Sequence, residues 1–285
     1  MTSPPAQPTS QGLDEQQSPP GVDPTVPSPA RLYDYYLGGT HNYPADRDAA
    51  EKIRKVLPEL TVGAWANRSF HQRAAKWMAR RGITQFIDIG SGLPTVGNTH
   101  QVVAGVRPDA HVVYVDKDPI VLAHSAELLA GSSTATLIQA DLCDPGEILG
   151  HPALRQLIDF SQPTGLLMTW VLHFVPDAAD PWRLVKRYCE AMTPGSYLAL
   201  SHVTNHRVPP RTIDLIQEIY RSATQNIYFR PKADIERFFD GLDIVPPYEG
   251  AQPAVAHVGL WDCEDPDVAD DDGSHWSYCA VARRP

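Results

Sequence analysis

Between Phe86 and His202 short apolar runs alternate with longer segments of helical spacing, and this rhythm limits the fold more than any other property of the chain. Phe86-Ile87-Asp88-Ile89, Val112 to Asp116, Ala135 to Ala140, Gly165 to Trp170 and Tyr197 to His202 read as five strands. Gly97 to Gly105, Pro119 to Leu129 and Trp182 to Ala191 read as helices between them. Parallel strands joined in this way need crossover connections, and the helices that supply them cover both sheet faces. The expected class is therefore α/β, a Rossmann-like doubly wound sheet. Upstream, Asn67 to Arg81 has helical spacing at Phe70, Ala74, Trp77 and Met78, and Gly82 closes it. Downstream, Arg211 to Ala223 and Ala233 to Phe239 read as helices, with Leu242 to Val245 and Trp276 to Ala282 as final strands.

A chain of 285 residues can hold one large domain with appendages. Three regions are expected: a disordered Pro-rich tail over 1–29, a helical N-terminal cap over 30–82, and the α/β domain over 83–285. The tail lacks a basic segment followed by an apolar run, so it does not read as a signal peptide. No apolar stretch reaches the ~20 residues that span a bilayer, and no membrane partner is expected. The formal net charge of -10 repels phosphates, which argues against a general nucleic-acid binder. Four scattered cysteines, Cys143, Cys189, Cys263 and Cys279, suggest neither a disulfide framework nor a zinc ribbon, and a cytoplasmic location fits.

The chemistry concentrates at Asp88-Ile89-Gly90-Ser91-Gly92-Leu93-Pro94-Thr95. A strand running into Gly90 and Gly92 lets backbone approach a ligand closely, and a following helix N-terminus would offer free N–H groups. Asp116 ends the next strand at about the 20-residue offset where a carboxylate accepts from ribose hydroxyls. Together these features specify a cofactor carrying a nucleoside. A dinucleotide fingerprint would place a third glycine where Thr95 stands, and Asp88 would repel a pyrophosphate. Asp88 suits instead a ligand with an amino acid and a sulfonium. Asp141, ending the third strand, is positioned to accept from an adenine amine, and Leu142 to cover the ring. The loop Thr169-Trp170-Val171-Leu172-His173-Phe174 lies at the carboxyl edge of the sheet, where such folds bind ligands.

At this point the chain resembles the class I methyltransferases that use S-adenosyl-L-methionine (SAM), and specifically an actinomycete S-adenosyl methyltransferase family formerly classed as a domain of unknown function. The resemblance runs from Pro29 to Arg284. It is carried by Ala30-Arg31-Leu32-Tyr33-Asp34-Tyr35-Tyr36-Leu37-Gly38-Gly39, Ala66-Asn67-Arg68-Ser69-Phe70, Gln85 to Thr95, Val113-Tyr114-Val115-Asp116 and Val171-Leu172-His173-Phe174. It implies a seven-stranded, mostly parallel sheet with the last strand antiparallel, SAM at the ends of the first two strands, and an N-terminal cap. Two positions depart from the pattern: His41 stands where a Lys or Arg is expected, and Gln101 where an acidic residue is usual. The family supplies no acceptor.

Tyr33 and Tyr36 are either anchors of the cap or aromatic faces for the sulfonium, a contact worth roughly 0.5–2 kcal/mol. Arg68 is either a structural partner or a two-pronged hold on the SAM carboxylate. His173 is the candidate general base, since its ordinary pKa lies near neutrality; its other reading is a structural histidine. His202 and His206 lack the frame and the further ligands of a metal site, so no metal is expected. Asp270-Asp271-Asp272 reads as part of a solvated acidic loop. The cofactor set is Asp88, Gly90, Gly92, Asp116 and Asp141, with Tyr33, Tyr36, Phe70, Trp170 and Phe174 excluding water. The expected activity is in-line methyl transfer to a small molecule by proximity and alignment. Alternatives are a regulatory or scaffold protein that binds SAM or S-adenosylhomocysteine (SAH) without turnover, and an NAD-dependent oxidoreductase.

Overall fold

Alternate residues of a strand face opposite sides of its sheet, and the five central strands use this to build two cores. In the computed structural model, Leu13 and residues 18–95 and 97–285 are described. The chain runs α1 (Pro29–Tyr36), α2 (Pro44–Val56), α3 (Leu60–Arg80), β1 (Gln85–Ile89), α4 (Thr99–Ala104), β2 (His111–Asp116), α5 (Pro119–Leu128) and β3 (Ala135–Gln139). It continues through α6 (Pro145–Gly150), α7 (Pro152–Leu157), β4 (Gly165–Thr169), α8 (Pro181–Ala191), β5 (Tyr197–Val203), α9 (Pro210–Tyr220) and α10 (Lys232–Glu236). The final elements are β6 (Asp243–Ile244), β7 (Ala256–His257), α11 (Pro266–Ala269) and β8 (Ser277–Arg283). Ile87, Val113, Leu166 and Leu198 pack on one face against Leu154 of α7 and Val185 of α8. Phe86, Val112, Leu167 and Ala199 pack on the other against Phe70 and Met78 of α3 and Val103 of α4.

Five helices open on a shared two-residue signal: Ser28-Pro29, Asp118-Pro119, Asp144-Pro145, Asp180-Pro181 and Asp265-Pro266. The Ser or Asp side chain accepts from a first-turn N–H, and proline fits the first helical position because its missing N–H has no partner to lose.

The strand order is β3-β2-β1-β4-β5-β8-β6. Strands β1 to β5 pair in parallel, and β8 is antiparallel to β5. The expected seven strands become eight because the outer edge of β8 is covered in two pieces. β6 pairs at Arg283 and Ala282, and β7 at Cys279 and Tyr278. Pro246 and Pro247, which cannot donate to a ladder, follow the end of β6. Among the described residues no helix is long and apolar enough to cross a membrane.

The cap is not confined to the residues expected for it. α1 and α2 pack with α9, which follows β5 in the chain, through Leu32, Ala50, Ile53 and Ile216. α3 instead belongs to the sheet's packing. The segment expected to be disordered through residue 29 is also tied down near its end, while 1–12 and 14–17 lie outside the described residues. The Ser28 N–H donates to Asp46 Oδ1 at 3.0 Å, Arg31 donates to the carbonyls of Asp23 and Val26, and the Thr224 N–H donates to Pro27 O at 2.9 Å.

Arg31 Nε donates to Asp46 Oδ2 at 2.8 Å, with side chains 2% and 0% exposed. Asp46 also accepts from the Tyr43 N–H at 2.8 Å, so one carboxylate joins α1 to the start of α2. Breaking a buried pair from one side strands the other charge. Asp46→Ala is expected to cost about 3–5 kcal/mol in urea unfolding, and Arg31→Met combined with Asp46→Leu is expected to cost less than the single change.

Candidate active site

Strand order reverses direction between β1 and β4, and an open α/β sheet leaves a crevice outside the carboxyl ends of strands at such a point. The cleft found there is lined by the loops after β1, β2, β3 and β4 and roofed by α1, α2 and α9. Its empty space, counted out through the open mouth, is about 1350 Å³.

The floor is the turn Gly90-Ser91-Gly92. Gly90 has φ +70° and Gly92 φ +67°, a region that side chains rarely enter. A Cβ on Gly90 would come within 2.2 Å of Val171 Cγ2, whereas one on Gly92 would meet nothing, so the space over Gly92 is free for a ligand. Asp116 holds the turn: its Oδ2 accepts from the Gly92 N–H at 2.8 Å, and its Oδ1 from the Asp118 N–H at 3.0 Å. A carboxylate has about four acceptor positions, so capacity remains toward the cleft. Burial pushes Asp116 up to about 6. It does the same to Asp88, where the Thr99 hydrogen bond and the Arg68 charge only partly offset it.

Asp88 is part of a chain of bonds that sequence reasoning did not find. The Thr99 hydroxyl donates to Asp88 Oδ2 at 2.6 Å. His71 Nε2 lies 2.8 Å from Thr99 Oγ1, and His71 Nδ1 lies 2.9 Å from Thr169 Oγ1. With the Thr99 proton committed to Asp88, His71 Nε2 donates to Thr99 and Nδ1 accepts from Thr169. Burial, and secondarily Arg68, lowers His71 to about 3, so the ring is neutral as this pattern requires. Arg68 lines the same end of the cleft, where its Nη2 donates to Gly97 O at 3.1 Å.

The loop after β4 forms the opposite wall. Trp170 sits at φ 50°, a conformation that costs about 1–3 kcal/mol for a bulky residue. It is held by its N–H to Ser201 O at 3.1 Å and by its indole N–H to Ser277 Oγ at 2.7 Å. His173 is buried and lines the cleft, and its Nδ1 has no hydrogen-bond partner among the described residues. Burial, then the neighbouring His202 and Arg230, holds its pKa well below the ordinary value. Arg230, also missed, staples this loop: it donates to Leu172 O at 3.0 Å, Val175 O at 2.6 Å and Asp177 Oδ1 at 2.7 Å. Its Nη1 lies 2.6 Å from His202 Nε2, while His202 Nδ1 donates to Val203 O at 2.6 Å, so both ring nitrogens of His202 are engaged. Nothing near Tyr197–His202 in the sequence points to Arg230.

Of the residues singled out beforehand, Tyr33, Tyr36, Arg68, Asp88, Gly90, Gly92, Asp116, Leu142, Trp170, His173 and Phe174 all line the cleft. Asp141 does not. It pairs with Lys117 at 3.2 Å and accepts from the Cys143 N–H at 2.9 Å. Phe70 is fully buried against Trp261, with ring centroids 5.7 Å apart, and does not reach the cleft. His41 packs on His124 with centroids 4.1 Å apart. Gln101 takes the usual acidic role as acceptor: its Oε1 receives the Asn98 N–H at 3.0 Å and closes a capping box on α4. That helix begins at Thr99 rather than directly behind the glycines.

Gly90→Ala is expected to force Val171 aside and to lower thermal stability, by roughly 1–3 kcal/mol of strain. Gly92→Ala is expected to cost less, because only its backbone conformation opposes the methyl; paired melting curves check the difference.

The S-adenosyl methyltransferase family model matches residues 15–285. The chain is similar to a candidate methyltransferase of Thermobifida fusca YX, with 37% identity over 94% of this chain and 98% of that one, and a TM-score of 0.85. It is equally similar to a DUF574 family protein of Streptomyces avermitilis MA-4680, with 37% identity over 92% of this chain and 99% of that one, and a TM-score of 0.84. No curated protein matches it. With the cleft at the sheet's switch point and two carboxylates flanking a glycine turn, these matches identify the chain as a member of the S-adenosyl methyltransferase family and a SAM-dependent methyltransferase.

Proposed function

We propose that SAM lies across the ends of β1 and β2 and that its methyl passes to a small-molecule acceptor entering under α1, α2 and α9. The observation that carries this reading is the chemistry opposite the glycine turn. Two carboxylates, Asp88 and Asp116, line the cleft there. A pyrophosphate would need a helix N-terminus in their place, but α4 starts at Thr99 and its cap is already closed by Asn98 and Gln101. The donor set fits an adenosyl amino acid and opposes a dinucleotide.

In this reading Asp116 accepts from the ribose hydroxyls with its remaining lone pairs. Asp88 faces the amino group, and Arg68 the carboxylate. Leu142 covers the adenine, without help from Asp141. Tyr33, Tyr36 and Trp170 exclude water around the sulfur. When bound, SAM supplies an electrophilic methyl group. His173 is a weak proton acceptor: charging it would bury a cation beside Arg230, so it stays neutral and serves to orient a hydroxyl. Catalysis then rests mainly on alignment of the acceptor, with any proton leaving to solvent.

Calorimetry tests the reading. SAH is expected to bind the wild-type protein, and Asp116→Ala to weaken it by about 1–3 kcal/mol, the cost of losing hydrogen bonds to a charged group. NAD should give no heat. Absence of heat with both SAM and SAH, or an unchanged affinity in Asp116→Ala, would overturn it.

The pH dependence has a defined sign. Both carboxyls titrate at about 6 in the free protein. Above that range they are ionised and ready to accept; below it, each must first lose a proton to bind the ligand. SAH affinity is therefore expected to fall as pH drops through 6, by up to about tenfold per unit for each group. Asp116→Asn should remove one of the two contributions and make the slope shallower.

A further inference from the structure

The cleft is divided by chemistry, and its second half has no charge. Every Asp, Glu, Lys or Arg that lines it lies on α3, β1 or the end of β2 and the residues after it: Arg68, Asp88, Asp116, Lys117 and Asp118. The lining residues from α1, α2, α9 and the segment that follows α9 are all uncharged. Ile53 comes from α2, and Ile216 and Tyr220 from α9. Behind them, Gln225, Ile227 and Phe229 alternate inward along an extended segment. Asn226 and Tyr228, between them, do not line the cleft; Asn226 is exposed, and the Tyr228 backbone N–H ties the segment to His173 O at 2.7 Å.

Tyr33 and Trp170 present their faces to this chamber, because their polar ends are already committed. The Tyr33 hydroxyl bonds to Ala64 O at 3.2 Å and receives Asn67 Nδ2 at 3.0 Å, while the Trp170 indole N–H is held by Ser277. Tyr33 and Trp170 lie with ring centroids 5.6 Å apart, and Phe174 and Tyr220 with centroids 6.0 Å apart. A charged group buried here would lose its hydration without a counter-charge, a penalty of many kcal/mol. A flat ring gains both apolar burial and edge or face contacts with several aromatics.

The geometry points to a neutral, planar aromatic molecule as the occupant of this chamber, and therefore as the methyl acceptor class. This rests on the methyltransferase reading of the same cleft. It adds that recognition is mainly by ring faces, with polar guidance from side chains that include His173, Asn67, Gln225 and the buried Tyr36 hydroxyl, which has no hydrogen-bond partner among the described residues.

The test separates the two claims. SAH affinity is measured first by calorimetry, and the SAH-saturated protein is then titrated with four probes of one size. These are 2-naphthol, its saturated analogue decahydro-2-naphthol, 2-naphthalenesulfonate, and a naphthyl trimethylammonium salt. 2-Naphthol is expected to bind at least about tenfold more tightly than each of the other three. Phe229→Asp is expected to weaken 2-naphthol by at least about tenfold while SAH affinity stays the same. Phe229→Leu, which keeps the fold's apolar packing, should retain most of the 2-naphthol binding and guards against misfolding as the cause. Equal or tighter binding of either charged probe, parity of the saturated alcohol, or no loss in Phe229→Asp would overturn the proposal. If SAH fails to bind but 2-naphthol binds with this selectivity, the cofactor reading fails while the chamber's preference stands.

Discussion

The Asp88–Thr99–His71–Thr169 chain ties together four elements that meet under the cleft: β1, α4, α3 and β4. Each member depends on the next for a proton or a lone pair, and a buried polar network is stable only when every member is satisfied. Its effect is positional. Asp88 is kept in the cleft as a buried carboxylate, and the two strands at the switch point are held in register by side chains as well as by ladder bonds. Were His71 charged, it would bury a second cation beside Arg68, so a neutral ring suits the site.

Around that base, the walls are held by longer-range staples. Arg230 ties the loop after β4 through main-chain carbonyls and Asp177, and Arg31 with Asp46 fixes how α1 meets α2. Both arginines are almost fully buried and spend their donors on protein. Arg68, also buried and bonded to Gly97 O, lines the cleft as well. Trp170 illustrates how such a frame stores strain: a left-handed backbone at a bulky residue survives because bonds to Ser201 and Ser277 hold both ends of it.

Much of the fold was legible because its signals are local. Strand runs such as Val112 to Asp116, and helix starts such as Asp118-Pro119 and Asp180-Pro181, depend only on neighbours in the chain. The glycine turn and Asp116 were legible for the same reason: strand ends in a parallel sheet converge on one edge, so their order in the chain already brings them together. Two readings failed where local pattern meets distant partners. Phe70 has the spacing of an inward helical residue, but which interior it faces was decided by Trp261. Asp141 follows its strand as expected, yet it does not line the cleft and pairs instead with Lys117, at the end of the neighbouring strand.

The sequence by itself determined the α/β class, the position of the cleft at the ends of β1 and β2, and the preference for an adenosyl sulfonium compound over a dinucleotide, because periodicity, turn chemistry and the sign of nearby charges are properties of short segments. Only the tertiary structure decided that α9 closes the cap over α1 and α2, that the segment after α9 lines the far chamber, and that His173 is held neutral beside His202 and Arg230. Those outcomes depend on which buried groups from remote parts of the chain share one low-dielectric space, and that is set by packing rather than by any local pattern.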